Sequence, residues 1–214
     1  WSVYVYLIHR SQLTTNKSSM LCNISQALEV LFFLSIKDNV RLILQEVGAS
    51  ELACNLMKEW PEKEGIVKAA ISLLSNMSYY SQDSQFAVGN AGGCEAIVAG
   101  MRKFPKNHYI QMYACLAIRN LAMENARNQQ RFQEAHARTA ISSAMWTHGG
   151  SAKADSVKVV PYWAKRALDV VPKQSSGVPM MALVVSDVMA RFKELKSQAL
   201  ADELAGVDHS KCLL

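Results

Sequence analysis

The sequence lacks the spacings by which most catalytic and metal sites are recognised. Its five cysteines form no Cys-x-x-Cys pair and its five histidines form no His-x-x-x-His pair, so the usual zinc-ligand spacings are missing. A Gly-x-Ser-x-Gly nucleophile motif is missing too. The glycine-rich stretch at 89–93 has no Gly-Lys-Ser/Thr ending with which to hold a phosphate. We therefore expect a protein without enzyme activity, cofactor or metal.

Charged residues are also sparse. The 23 Lys and Arg and the 18 Asp and Glu residues make up 19% of the chain and leave a net charge of +5. Nucleic acid is not an expected partner because a dense basic stripe is missing, whereas an acidic protein segment is compatible with this charge. Seven basic residues concentrate in the middle of the chain, where they either bind such a segment or form a solvated face: Arg102, Lys103, Lys106, Arg119, Arg127, Arg131 and Arg138.

Neither disulfides nor a membrane span is expected. The cysteines are odd in number and scattered. Four of them fall in predicted helices, which is typical of reduced, buried thiols in an intracellular protein: Cys22, Cys54, Cys94 and Cys115. The apolar run at 178–190 is too short to cross a bilayer and is interrupted by Asp187. We expect a cytoplasmic location, with an organelle or a cytoskeletal assembly as alternatives.

What the sequence does contain is a period of 44 residues. Pro61 and Pro105 stand 44 residues apart, and each follows an aromatic residue. The same spacing relates Met57, Met101 and Met145, and also Gly48, Gly92 and His136. A period in the low forties built from predicted helices is typical of armadillo or HEAT repeats, in which each layer packs on its neighbours.

The residues near the ends of the predicted long helices make the sequence resemble the armadillo family. Leu74-Ser75-Asn76-Met77 and Ile118-Arg119-Asn120-Leu121 match the third-helix signature of that family, and Asn90-Ala91-Gly92-Gly93-Cys94 matches its glycine turn. The resemblance covers roughly residues 20–172. It implies an all-α, right-handed α-solenoid of about three repeats, with a truncated repeat before them and a capping helix after them.

These patterns divide the chain into segments. Segment 1–19 begins with aromatic and β-branched residues, which indicate either a strand or the tail of an earlier helix. Ser18 and Ser19 are predicted to cap the first helix and Asp38 the second. Pro161 either kinks a helix predicted from about Asp155 or marks its start. The predicted repeats cover 20–36, 38–80, 82–124 and 126–172, and a linker at 173–179 precedes an amphipathic helix and tail at 180–214.

The armadillo resemblance implies a binding groove along the third helices. In that family an asparagine late in each third helix hydrogen-bonds the backbone of an extended peptide, and Asn76 and Asn120 hold that position. The matching places in the outer repeats hold Phe33 and Ala167, which cannot form these bonds. The alternative is that both asparagines join neighbouring helices. The predicted groove consists of Ser72, Asn76, Leu116, Arg119, Asn120, Trp163 and Arg166.

The repeats predict a non-catalytic scaffold or adaptor that holds a protein segment, acidic or extended, in this groove. The alternative is a structural subunit built permanently into a large multiprotein complex, which would use its ends instead. The predicted C-terminal helix then either caps the solenoid or docks on another chain. Its apolar seam consists of Met181, Val185, Val188, Phe192 and Leu195.

Overall fold

Helices form all the regular structure in the part of the chain that the computed structural model describes, residues 17–79, 81–149 and 159–173. These ranges contain ten helices and no strand, which confirms the predicted all-α class. Within them, no helix combines the length and the apolar character that a membrane span needs. By its contacts the chain divides into two compact units, Trp1–Ser175 and Ser176–Leu214. The predicted N-terminal strand or helix tail and the predicted seam helix at 180–214 lie outside the described residues.

After one long helix, the described chain continues as three triplets of helices. Each triplet has a first, a second and a third helix. In chain order the helices are α1 (Lys17–Leu34), α2 (Asp38–Glu46), α3 (Ala49–Glu59), α4 (Glu64–Met77), α5 (Gln82–Asn90), α6 (Gly93–Lys103), α7 (His108–Ala122), α8 (Ala126–Glu134), α9 (Ala137–Gly149) and α10 (Val159–Val170).

The triplets repeat with the period read from the sequence. The first helices α2, α5 and α8 begin 44 residues apart, and so do the second helices α3, α6 and α9. The third helices α4 and α7 keep the same spacing. In the second and third triplets the starts are set by side chains that accept a hydrogen bond from the first turn: Ser81 before α5, Asn107 before α7 and Asn125 before α8.

The chain turns from each first helix to the second through a residue in the left-handed conformation. Gly48 (φ 76°) and Gly92 (φ 74°) occupy this place in the first two triplets, and His136 (φ 53°) occupies it in the third. Glycine adopts this conformation without steric cost, whereas a side chain costs roughly 1–2 kcal/mol. The left-handed backbone required at this turn therefore explains why glycine stands at both Gly48 and Gly92, one period apart.

Two local predictions are corrected at helix starts. Ser18 and Ser19 lie inside α1, which already includes Lys17, so they do not precede it. Asp38 is the first residue of α2 and pairs with Arg41 at 2.7 Å, while the cap position belongs to Lys37. Helix α10 is described from Val159, with Pro161 as its third residue, and the predicted start near Asp155 lies outside the described residues.

The third helices pack side by side. Helix α1 packs on α4, α4 on α7 and α7 on α10, and these are the three most extensive helix pairs of the described chain. Their hidden faces carry Leu28, Ile71, Leu74, Ile118 and Leu121, all without solvent exposure. Burying each such side chain stabilises the fold by about 2 kcal/mol.

Candidate functional site

Six of the seven predicted groove residues stand three or four residues apart along the third helices, in line with Lys68 and Met112 one turn earlier. We call this set the ladder face: Lys68, Ser72 and Asn76 on α4, Met112, Leu116 and Arg119 on α7, and Trp163 and Arg166 on α10. The seventh, Asn120, follows Arg119 on α7. Positions four and then three or four residues apart project from the same side of a helix. Because α4 packs on α7 and α7 on α10, these stripes lie on neighbouring helices.

The two signature asparagines are hydrogen-bonded to the preceding third helix. The Asn76 amide nitrogen donates to the Phe32 carbonyl at 3.3 Å and to the Ser35 hydroxyl at 3.1 Å. The Asn120 amide nitrogen donates to the Ser75 carbonyl at 2.9 Å. The Asn120 side-chain oxygen accepts a bond from Arg119 at 2.9 Å. Of the two roles predicted for these asparagines, the structure shows the joining of neighbouring helices.

Burial separates the predicted groove residues into two groups. Asn120 is 2% exposed and Ser72 is 5% exposed, and the Ser72 hydroxyl donates to the Lys68 carbonyl within its own helix. Asn76 is half-buried. The side chains of Ser72 and Asn120 are therefore almost inaccessible to a partner segment in this structure, and their role in a groove stays a prediction.

The remaining predicted residues are accessible. Leu116, Arg119 and Trp163 are half-buried, and Arg166 is exposed. The Arg166 guanidinium lies over the Tyr162 ring at 4.6 Å, and the rings of Tyr162 and Trp163 meet edge to face at 5.0 Å. A cation held on an aromatic pair keeps its outward N–H groups available for a carboxylate.

The structure contains an aromatic contact between α1 and α7 that the sequence did not predict. The rings of Phe32 on α1 and Tyr113 on α7 lie 5.4 Å apart at 74°, although α4 packs on both of these helices. Burial raises the pKa of Tyr113, the nearby Tyr109 adds to this rise, and Lys68 opposes it. Phe32 and Tyr113 are 81 residues apart, and no local pattern pairs them.

Lys68 carries a second link across the same helices. Its ammonium group pairs with Glu29 of α1 at 2.8 Å, with both side chains partly exposed. Such a pair is worth about 0.2–1 kcal/mol. Together with the Phe32–Tyr113 contact, it links α1 to both α4 and α7.

Most of the basic cluster predicted for an acidic partner is bound within the protein. Arg102 donates to the Ala135 carbonyl at 2.6 Å, and Arg138 donates to the Leu168 carbonyl at 2.7 Å. Lys103 pairs with Glu62, and Arg131 pairs with Glu95 at 3.2 Å. These side chains therefore bind other parts of the chain, so fewer of their N–H groups are available to a partner than the sequence indicated.

Two of these contacts repeat with the period. Lys58 at the end of α3 donates to the Ala91 carbonyl, and Arg102 at the end of α6 donates to the Ala135 carbonyl. Ala91 and Ala135 cap the C-termini of α5 and α8, where carbonyls lack helical partners and a positive charge is favoured. Helices α3 and α6 are thus each bonded to the first helix of the following triplet.

The buried thiols have low reactivity near neutral pH. Burial raises the pKa of Cys54 and of Cys115 to about 12, and it raises the pKa of Cys94 still further. The thiolate is the reactive form, so these three groups are poor nucleophiles near neutral pH. The prediction of a buried Cys22 is wrong, because this residue is exposed on α1. No cluster of three metal-ligating side chains occurs in ranges 17–79, 81–149 and 159–173.

One depression of about 330 Å³ lies between the second helices α3 and α6. Its walls are mainly apolar and small, and they comprise Met57, Lys58, Pro61, Val67, Gly92, Glu95, Ala96, Ala99, Gly100 and Lys103. The three charged side chains already bind the Ala91 carbonyl, Arg131 and Glu62. They do not converge on the depression as catalytic groups would.

A family model described as the spinocerebellar ataxia type 10 protein domain matches residues 66–156. The matched stretch is less than half of the chain and runs from α4 past the end of α9. Over these residues the chain is similar to that domain. Comparisons with curated proteins and with solved structures gave no significant match.

Proposed function

We propose that this protein is a non-catalytic, armadillo-type scaffold that binds an extended, acidic protein segment along the ladder face. The observation that carries the proposal is the side-by-side packing of α1, α4, α7 and α10. Stacked helices of this kind provide a continuous surface that suits an elongated partner better than a compact ligand. The 44-residue period of caps and turns supports an armadillo-type repeat.

The accessible part of the face suits a carboxylate-bearing segment. Arg166 is exposed and stacked on Tyr162. One guanidinium nitrogen of Arg119 donates to Asn120, and its other N–H groups can bind a partner. Leu116 and Trp163 supply apolar surface one turn before these two cations, on α7 and on α10. Arginine prefers carboxylates in a two-bond geometry. Since Asn76 and Asn120 are occupied, recognition in this proposal comes from arginine and aromatic side chains.

The proposal is tested with a fluorescent, extended peptide of alternating Glu and Gly and its Lys counterpart. We expect only the acidic peptide to bind the full chain and its affinity to fall as salt rises. Arg166→Glu should weaken binding about 10-fold, a loss of about 1.4 kcal/mol. Lys106→Glu is the matched control, because it makes the same charge change on an exposed connection before α7.

Two results would overturn the proposed role of the face. One is equal binding of the acidic and basic peptides, and the other is an equal loss of affinity in both variants. The first would show that charge does not select the partner. The second would show that only the net charge of the protein matters, and not the position of Arg166.

A second candidate function is that of a structural subunit in a larger complex. It is favoured by the apolar surface on α9, where Trp146 is 88% exposed and Met145 is also exposed. The counterpart of Met145 one period earlier, Met101, is buried. Sedimentation of the isolated chain distinguishes the two functions. A subunit should self-associate, and Trp146→Ser should reduce that self-association. A free scaffold should remain monomeric.

A further inference from the structure

The polar side chains of the predicted groove are bound within the protein. The amide nitrogens of Asn76 and Asn120 donate to the preceding third helix, and the Ser72 hydroxyl donates to the Lys68 carbonyl. A strand-like peptide carries an N–H and a C=O at each residue other than proline, and these groups need partners where water is excluded. The ladder face therefore offers little with which to bond the main chain of a partner.

Accessible aromatic rings lie on α7 and α10, the third helices that carry the two arginines of the face. Tyr109 is 51% exposed in the first turn of α7, and Tyr113 follows one turn later and is half-buried. On α10, Tyr162 is 50% exposed and Trp163 is half-buried. Flat rings with a polar edge are the surface on which proline-rich segments dock, and this contact needs no hydrogen bond from the proline backbone.

Arg119 and Arg166 stand at corresponding positions of these two helices. Each of them directly precedes a residue that is buried, Asn120 on α7 and Ala167 on α10. Helix α7 packs on α10, and the axes of packed helices lie about 8–10 Å apart. A segment that crosses both helices therefore meets the second arginine about one such interval after the first.

We propose that the segment bound by the ladder face is an acidic, proline-rich segment in the polyproline II conformation, with a carboxylate at every third residue. The inference rests on the proposed function, because it specifies the partner of the same face. Polyproline II has three residues per turn and rises about 3.1 Å per residue, so every third residue faces the same side about 9 Å further on. This interval matches the about 8–10 Å between the helices that carry Arg119 and Arg166.

The backbone of this conformation also suits the face. Polyproline II forms no internal hydrogen bonds, its main chain stays solvated, and proline has no N–H. Such a segment therefore does not need the amides of Asn76 and Asn120, which are occupied. A β-strand fits less well, because its side chains on one side repeat about every 7 Å. Its N–H groups would also lose water without gaining partners on the face.

Three labelled peptides test the conformation of the partner on the full chain by fluorescence anisotropy. Four Glu-Pro-Pro units and four Glu-Gly-Gly units carry the same charges at the same spacing, and four Lys-Pro-Pro units reverse the charge. We expect the Glu-Pro-Pro peptide to bind about 10-fold tighter than the Glu-Gly-Gly peptide, because its bound conformation is already formed in solution.

The outcomes separate this inference from the proposed function. If the Glu-Gly-Gly peptide binds as tightly as the Glu-Pro-Pro peptide and both bind better than Lys-Pro-Pro, the polyproline II partner is wrong and an acidic segment stands. If Lys-Pro-Pro binds as tightly as Glu-Pro-Pro, or if none of the three binds, the proposed function is overturned together with this inference.

The spacing of the carboxylates is tested with a peptide of the same composition. Two units of Glu-Glu-Pro-Pro-Pro-Pro keep the charge and the proline content, but no two glutamates are then three residues apart. We expect about 5-fold weaker binding than for the regular Glu-Pro-Pro peptide, because one arginine at a time then meets a carboxylate. Equal affinity of the two peptides would contradict the match between the carboxylates and the positions of Arg119 and Arg166.

Removing an accessible ring tests the docking of proline. Tyr109→Leu changes a half-exposed side chain, so the fold should be kept. We expect it to weaken binding of the Glu-Pro-Pro peptide about 5-fold and to leave the Glu-Gly-Gly peptide nearly unchanged. Trp163→Leu should act in the same direction, whereas Trp146→Leu, at an exposed ring on α9, should change neither. No loss at Tyr109 and Trp163, or an equal loss for both peptides, would contradict the packing of proline on these rings.

Discussion

Asn120 donates a 2.9 Å hydrogen bond to the carbonyl of Ser75, and this bond ties α7 to α4 in the interior of the protein. The Asn120 side chain also accepts a bond from Arg119. The residue whose type indicated a contact with a partner peptide thus holds two repeats of its own chain together.

Removing this amide should destabilise the fold. We expect Asn120→Ala to lower the free energy of unfolding by about 1–3 kcal/mol, because the buried Ser75 carbonyl loses its closer donor and keeps only the Ser78 hydroxyl at 3.4 Å. Asn76→Ala should cost about 1 kcal/mol or less, since Asn76 is only half-buried. Urea unfolding followed by circular dichroism measures both values. Equal, negligible losses would mean that the asparagines do not secure the packing of the third helices.

The contact between Phe32 and Tyr113 should contribute a coupling energy of its own. Their rings are 5.4 Å apart and edge to face, a geometry worth about 0.5–1.5 kcal/mol beyond the burial of area. A double-mutant cycle with Phe32→Leu and Tyr113→Leu measures it. Phe33→Leu replaces Phe32→Leu in the control cycle, because Phe33 is exposed. A coupling energy near zero in the first cycle would contradict the contact.

The buried thiols should make the protein sensitive to alkali. Burial raises the pKa of Cys54 and of Cys115 from 9.0 to about 12. Unfolding then releases protons above about pH 9, so the stabilising contribution is complete below pH 9 and is lost as the pH rises toward 12. Stability measured from pH 8 to 10 should fall less steeply in Cys115→Ala than in the unsubstituted chain, and equal slopes in the two would contradict the effect of burial.

Two helical glycines should respond in opposite directions to alanine. A Cβ at Gly93 would lie 2.5 Å from the Val88 side chain and 2.7 Å from the Cys54 sulfur, so Gly93→Ala should cost about 1–3 kcal/mol. A Cβ at Gly65 meets Ser25 at an ordinary 3.5 Å, so Gly65→Ala should stabilise α4 by about 0.5–1 kcal/mol. Thermal unfolding compares them. A tolerated Gly93→Ala would show that α6 can move away from α3.

Much of the helical order could be predicted because its signals are local. Gly48 and Gly92 mark turns that need a left-handed residue, and Pro61 and Pro105 follow the ends of α3 and α6. These effects act within a few residues, so the sequence alone indicates where these turns and helix ends lie. The caps predicted for α1 and α2 were wrong because several residues there satisfy the same local rules.

The arrangement of the candidate site could not be predicted in the same way. Whether Asn76 turns toward a partner or toward Phe32 depends on which helix packs beside α4. The meeting of Phe32 with Tyr113 depends on three helices at once. The same holds for Asn120, because its surroundings decide what its amide can reach.

The bonds between successive triplets share a feature that bears on how such a chain can evolve. Asn120, Lys58 and Arg102 each reach a main-chain carbonyl, on Ser75, Ala91 and Ala135. A carbonyl is present whatever the side chain, so only the donor half of each junction has to be kept. Mutations on the acceptor side need no matching change in the neighbour. A duplicated 44-residue block would bring its own donors and find acceptors already in place. The same rule gives an engineer a way to lengthen the protein.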